Sequence, residues 1–317
     1  MSAAIGSRDR GALVLAAACW GIGTVLSKAA LDEISPFLLL PMQLAASLAV
    51  LVVLMRINAV PLRGDDPPQL GRLGLLNPGL AYALSLLGLL TISASLSVLL
   101  GALEPFLIAG LGVIVLGERV SGRLILAFAV AFVAIAVVVA VPAPTPGRWV
   151  GVGLTLIGIA CCAFYTVLSR RLIGDAHETS RVVFTQQAYG VAFAVVLAVA
   201  AVSLGGVALP RMTPIGFVSA VGSGAVYYAA AYWFYLGAIR RVPVAEAGAA
   251  FFLIPVFGVV ASALLLGDRL SPVEWLAAAT VVAAVAVALT LPSSGARRGS
   301  SQPAAAAKPD PVDLQVT

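Results

Sequence analysis

The chain has 317 residues, 61% hydrophobic and only 10% charged, with a formal net charge of +5. A soluble domain carries about 25% charged residues, and no water-soluble fold covers this much apolar surface. Composition excludes an ordinary soluble protein and points to a helical membrane protein.

Residues 1–10 read as a short cytoplasmic N-terminus. Together with GALVLAAAC they imitate a bacterial lipoprotein leader, but the apolar run continues past Cys19 as a full span and Ala16 stands where a larger aliphatic residue is usual, so no cleavage is expected. Apolar runs of about 20 residues, enough to cross the hydrocarbon core, then recur. They lie at about 11–29, 36–56, 72–92, 94–116, 123–141, 149–169, 182–204, 213–239, 244–266 and 272–291. Because the runs are long and continuous rather than short and alternating, the expected fold class is all-α with ten transmembrane helices. Residues 292–317, rich in Pro, Ser and Ala, are predicted to be a disordered cytoplasmic tail. Cys19, Cys161 and Cys162 all fall inside spans and read as small packing residues, with neither a disulfide framework nor metal spacing.

Candidate site residues follow in chain order. Trp20 lies in the first span, and Lys28 ends it, where a long basic side chain snorkels to the headgroups. Gln43 in the second span is an amide that needs a cavity or a helix partner. Asn77, followed by Pro78, and Tyr82 lie in the third. Glu104 sits midway along the fourth beside Pro105, and a carboxylate at that depth costs several kcal/mol unless it faces a cavity or partner. It is the first candidate for binding a proton and substrate, against the plainer reading of a protonated glutamate bonded to a neighbouring helix. Tyr165 in the sixth span is a weaker candidate, and Arg170 ends that span as Lys28 ends the first. Gln186 in the seventh repeats the case of Gln43. In the eighth, Tyr228, Tyr232 and Tyr235 share one helical face that suits a cationic or aromatic substrate, with packing as the plainer reading. Glu246, three residues after Pro243, opens the ninth span, where a carboxylate also suits a helix start. Pro105 and Pro255 are candidate hinges.

The basic residues orient the chain. With both termini in the cytoplasm, fifteen Lys and Arg fall inside and four outside (Lys28, Arg148, Arg211 and Arg269), as the positive-inside rule requires. The positive charge thus reflects membrane orientation and implies no nucleic-acid partner.

The chain also repeats itself. LGERVSGR at 116–123 returns as LGDRLSPV at 266–273, and Pro105 precedes Gly117 by the same twelve residues that separate Pro255 from Gly267. Gly here reads as a left-handed helix cap and Ser as the cap of the next helix. CWGIGTVLSK at 19–28 returns as CCAFYTVLSR at 161–170, matching the first span to the sixth. The unit is five helices, at 11–141 and 142–291. An odd number of crossings makes the copies inverted, an arrangement that places a site near the midplane and opens it alternately to each side.

Trp20, Gly21 and Lys28, Pro105 followed by LGERVS, and GLLNPGLAYALSLLGLL before the fourth span together resemble the EamA family of the drug/metabolite transporter superfamily, over about residues 10–291. The resemblance implies a ten-helix secondary transporter with cytoplasmic termini and a central cavity, exporting amino acids or other small metabolites. One position departs from the family: members commonly carry Arg about seven residues after the Pro that opens the second span, and here Pro36 is followed by Gln43, with Gln186 as its mate. Neutral amides stand where an anion-pairing charge is usual.

The expected function is a secondary active transporter of the bacterial inner membrane, exporting a small metabolite such as an amino acid by alternating access in exchange for protons. Its partners are that substrate and the lipid bilayer, as monomer or homodimer, with no cofactor and no metal. No GxxxxGK[ST] loop or HExxH motif is present, and the single histidine, His177, lies in a predicted loop, which argues against an ATP-driven pump and an enzyme. A lipid or lipid-linked-sugar flippase of the same superfamily is the competing reading.

Overall fold

The computed structural model describes residues 7–64, 66–117, 122–140, 146–172, 178–207, 212–239, 251–269 and 271–290. Every regular element among them is helical. Six runs are long and apolar enough to cross a membrane: 8–31, 36–57, 94–115, 147–169, 179–203 and 214–238. Helices also occupy the other four predicted positions, in shorter or broken form, so the described residues establish a multi-pass helical bundle rather than a count of ten.

The first two spans are α1 (Ser7–Leu31) and α2 (Pro36–Ile57). Ser35 starts α2 by accepting from the Phe37 amide, with Pro36 at a position that needs no N–H. The third span is broken where a continuous helix was expected: α3 (Pro68–Gly74) passes into a π-helical turn at 75–80 and then α4 (Ala81–Leu89). Pro78 has no amide hydrogen to continue the α-helical ladder, and Asn77 before it leaves helical geometry at φ −142° and ψ 117°.

The fourth span is also two pieces, α5 (Ala94–Gly101), capped by Ser93, and α6 (Glu104–Leu116). Pro105 therefore stands in the first turn of α6, and the break lies just before it at 102–103. A proline disrupts the turn that precedes it, which is why the bend comes earlier than the residue expected to hinge. Pro255 likewise falls in the first turn of its helix. Then come α7 (Gly122–Ala140), α8 (Pro146–Leu172) and α9 (Thr179–Ser203). The eighth span is α10 (Pro214–Ser223), a second π-helical segment at 224–230, and α11 (Ala231–Ile239). Last are α12 (Leu253–Leu265) and α13 (Pro272–Thr290). Gly117 and Gly267 take φ of 70° and 69°, the left-handed conformation read from the repeated motif.

The main interhelical pairings have images in the other half. The first span packs on the eighth and ninth, as the sixth does on the third and fourth. The second packs on the eighth, as the seventh does on the third. The second meets the seventh, and the fifth meets the tenth, position against like position.

Two glycines, 150 residues apart, set the closest of these contacts. A Cβ on Gly74 would fall on the backbone of Gln186, and a Cβ on Gly224 would fall on the backbone of Gln43. Small residues let helices in lipid approach to backbone contact. Outward the bundle presents large apolar side chains such as Ile114, Val196, Val218 and Leu264. Inward it holds Ser27, Gln43, Ser47, Gln186, Gln187 and Ser223. That inside-out distribution is the one lipid selects.

Candidate functional site

Aromatic side chains from both halves converge at the centre of the bundle. Tyr82 on α4 and Tyr232 on α11 occupy the same place in the two halves, 150 residues apart, and their hydroxyls meet at 3.0 Å. That contact lies where the two-fold pairing of the helices places its axis.

Tyr82 also packs edge-on against Tyr227 and Tyr228, with ring centres 5.5 and 4.8 Å away. Tyr232 packs edge-on against Trp20 at 5.6 Å. Trp20 in turn stacks on Phe251 at 5.2 Å and meets Tyr235 at 5.6 Å. The result is one continuous aromatic wall from Phe251 to Tyr228, in which residues of the two halves alternate. Tyr227 enters this wall because the π-helical segment turns two adjacent tyrosines inward, which a regular helix at about 100° per residue does not do.

Gln43 is fully buried, and its Nε2 donates to Ser27 Oγ and Ser223 Oγ, both at 2.8 Å, while Tyr228 donates to its Oε1 at 3.5 Å. Gln186 accepts from the Tyr165 hydroxyl at 2.5 Å and donates to the Leu70 carbonyl at 3.0 Å. Each glutamine thus ties its own span to two others. Gln187, which the sequence reading did not single out, does the same, accepting from Ser47 and donating to the Tyr228 carbonyl at 2.7 Å. Of the two roles open to Gln43 and Gln186, these bonds describe helix-to-helix attachment.

Glu104 is different. It stands at the start of α6, near Cys162, Tyr227 and Tyr232. Part of its surface is accessible although it lies deep in the bundle. No described residue donates a hydrogen bond to it or forms an ion pair with it. Among the described side chains it is also the only acidic or basic one away from the ends of a span.

The other charges are used at those ends. Lys28 donates to the Leu89 and Leu90 carbonyls at 2.7 and 3.4 Å, capping the third span rather than only reaching for headgroups. Arg148 donates to the Val138 carbonyl at 2.9 Å.

Two polar ties close opposite ends of α2. At one, Glu33 accepts from the Thr213 amide at 2.7 Å and from its hydroxyl at 2.6 Å, joining the entry to α2 to the start of α10. The Thr213 hydroxyl, then its amide, hold the Glu33 carboxyl below its ordinary pKa. At the other, Arg181 on α9 pairs bidentately with Asp66, just before α3. The two ties link image positions of the repeat.

Between the third, sixth, seventh and eighth spans is a small cavity with room for about one water molecule. It is lined by Asn77, Tyr165, Gln186, Gln187, Tyr228 and Tyr232, among others. Asn77 is 4% exposed, and its amide makes no hydrogen bond to a described residue.

Of the residues singled out from sequence, the structure brings Trp20, Tyr82, Tyr228, Tyr232 and Glu104 into one region, with Gln43 and Gln186 behind them. Glu246 lies outside the described residues, as do Pro243, Glu118, Arg119, His177 and the tail from 292.

The EamA-like transporter family model matches the chain twice, over residues 11–140 and 149–290. A solved structure described only as a crystal structure of a protein is 18% identical to the chain, covers 90% of it and 99% of its own length, and superposes with a TM-score of 0.65. At that identity the likeness speaks for the fold alone. No curated protein matches the chain.

Proposed function

The chain belongs to the EamA-like transporter family, and on that premise we propose that it is a secondary active exporter of a small metabolite, an amino acid or similar compound, working by alternating access in exchange for protons. The observation that carries this reading is Glu104, a carboxylate deep in the bundle, without a partner among the described residues, beside an aromatic wall built by both halves. In lipid such a group costs several kcal/mol unless it is put to use. A carboxylate that holds a proton in one state and a substrate in the other is a use that fits its position.

The repeats, 11–141 and 142–291, are inverted copies in this reading, with both termini in the cytoplasm of a bacterial cell. The odd helix number per repeat and the bias of basic residues support that topology. Alternating access then means that one end of the bundle parts while the other stays shut. The Glu33–Thr213 tie serves as the outer closure and the Asp66–Arg181 pair as the inner one. The break before Pro105 and the turn at 251–252 before Pro255 supply flexible points in image positions. Glu246 is retained as a further candidate at the cytoplasmic end of the ninth span.

The test is growth of cells expressing wild type, Glu104→Gln or empty vector against toxic amino-acid, nucleoside and quaternary-ammonium compounds, at matched expression. Protection by wild type alone supports the exporter and assigns Glu104 to transport. Equal protection by both proteins removes Glu104 from the mechanism.

A further inference from the structure

Two half-helices are built alike in the two repeats. In the third span α3 runs from one end of the bundle into the π-helical turn at 75–80. In the eighth, α10 runs from the opposite end into the π-helical segment at 224–230. The breaks also divide the packing. Helix α3 lies on α9 whereas α4 lies on α8, and α10 lies along α2 as well as α1 whereas α11 lies chiefly on α1.

Each half-helix is pinned where it meets the break and tied at its free end. The pins are backbone contacts: Gly74 lies on the Gln186 backbone of α9, and Gly224 on the Gln43 backbone of α2, so close that a Cβ at either would overlap the main chain. The ties are polar. Asp66, just before α3, pairs bidentately with Arg181 of α9. Thr213, the N-cap of α10, gives its amide and hydroxyl to Glu33 ahead of α2 at 2.7 and 2.6 Å. Each tie also lies over a glycine: a Cβ on Gly64 would fall on the Arg181 guanidinium, and one on Gly216 on the Glu33 carboxylate.

Both pins and both ties therefore fall to the second and seventh spans or their entries. Those two spans pack on each other and are bonded through Ser47 and Gln187, which makes them the frame against which the half-helices close. Helix α10 is a lever about 15 Å long. A turn of about 10° at its π-helical end carries Thr213 roughly 3 Å, enough to part the two bonds to Glu33. A π-helical turn interrupts the regular ladder, and helices bend at such interruptions.

We propose that α10 and α3 are the two gates of the transporter, each swinging on its π-helical segment about its glycine pin, with Glu33–Thr213 as the latch of one and Asp66–Arg181 as the latch of the other. The proposal rests on the alternating-access reading and deepens it: the movement at each end belongs to one half-helix of the third or eighth span, and the rest of that end stays packed.

The test uses the purified full-length protein with Cys19, Cys161 and Cys162 replaced by alanine, and single reporter cysteines at positions that are buried in the closed structure. Ala220→Cys reports on α10 and Leu70→Cys on α3. Leu96→Cys on α5 and Ala16→Cys on α1 report on the same two ends away from the gates. The readout is the rate of reaction with a water-soluble maleimide, which for a buried thiol follows the population of the open form. Glu33→Ala should speed labelling at Ala220→Cys by about fivefold or more, the effect of about one net hydrogen bond on an equilibrium, and leave the other three reporters unchanged. Asp66→Ala should do the same for Leu70→Cys alone. Thermal unfolding checks that each variant is folded, and Glu33→Gln or Asp66→Asn replaces an alanine variant that is not.

Faster labelling at Leu96→Cys or Ala16→Cys along with the gate at that end would mean that the whole end parts, and would overturn the proposal. Unchanged labelling at Ala220→Cys and Leu70→Cys in the folded variants would overturn it too, since the ties would then hold nothing shut. Labelling needs no substrate. A failed pattern therefore removes the gates whatever the growth panel shows, and a growth panel without protection counts against export whatever the labelling shows.

Discussion

Replacing Gln43 by leucine separates structural attachment from substrate contact. The side chain is completely buried, and its two firm bonds run from Nε2 to Ser27 and Ser223 at 2.8 Å. Bonds of this kind between membrane helices contribute about 0.6 kcal/mol on average and up to about 1.7, so the pair is worth roughly 1–3 kcal/mol. The third contact, from Tyr228 at 3.5 Å, is at the geometric limit and adds little. Neither serine is stranded by the change, since Ser27 still donates to the Gly23 carbonyl and Ser223 to that of Ala220. The expected result is a fall of about 1–3 kcal/mol in the unfolding free energy of the purified protein in mixed micelles, a factor of roughly 5 to 150 in the folding equilibrium, with substrate preference intact. Glu104→Gln should show the opposite signature, transport lost and stability nearly unchanged. A Gln43→Leu protein as stable as wild type but unable to transport would refute the reasoning and make Gln43 a substrate ligand.

Three further outcomes are expected. Gly224→Ala puts a methyl group against the Gln43 backbone, which cannot rotate away, and should cost about 1–3 kcal/mol or prevent folding; Gly101→Ala meets nothing within 4 Å and should be tolerated, and equal stability of the two variants would count against the close approach. Lys28→Met removes the bonds to the Leu89 and Leu90 carbonyls and should lower stability by about 1 kcal/mol, read from the same unfolding assay. Because Glu33 is held below its ordinary pKa, the stability its tie to Thr213 gives is complete above the unfolded value of about 4.3 and is lost as pH falls through the lower folded value. Glu33→Gln should therefore remove that acid-side loss from the stability-versus-pH curve, and a curve of unchanged shape would exclude the tie as its source.

Much of the scaffold was legible because lipid imposes simple demands. Twenty apolar residues in a row announce a span, Ser35 ahead of Pro36 announces a helix start, and LGERVS returning as LGDRLS announces a repeat with Gly117 and Gly267 as caps. The breaks were only half legible. Pro78 gives the break in the third span a local cause, though the span reads as continuous, whereas its image at 224–230, GAVYYAA, contains no proline and still forms a π-helical segment. What the two breaks share is a glycine set against a glutamine backbone, Gly74 on Gln186 and Gly224 on Gln43, and packing is a tertiary fact.

The site was least legible for the same reason. Partners of Gln43 and Tyr82 lie 180 and 150 residues away, and nothing local distinguishes a tied amide from one waiting for a ligand. Asn77 and Gln43 look alike in sequence, yet one is unbonded in a cavity and the other is held by three neighbours.

Comparing the halves position by position separates what the repeat supplies from what the site adds. Gly74 with Gly224, Gln43 with Gln186, and Tyr82 with Tyr232 are image pairs, and each does the same job twice or meets its mate on the axis. Glu104, by contrast, has Ile254 as its counterpart, and Asn77 and Pro78 face Tyr227 and Tyr228 in the other half. The symmetric residues are those that pack and tie. The asymmetric ones bring the charge, the free amide and the extra aromatic rings. A symmetric frame can expose the same space to either side with equal ease, while an asymmetric lining makes the two ends of that space chemically different. Moving the carboxylate from 104 to 254 should therefore set it against different helices and leave a folded protein that does not transport.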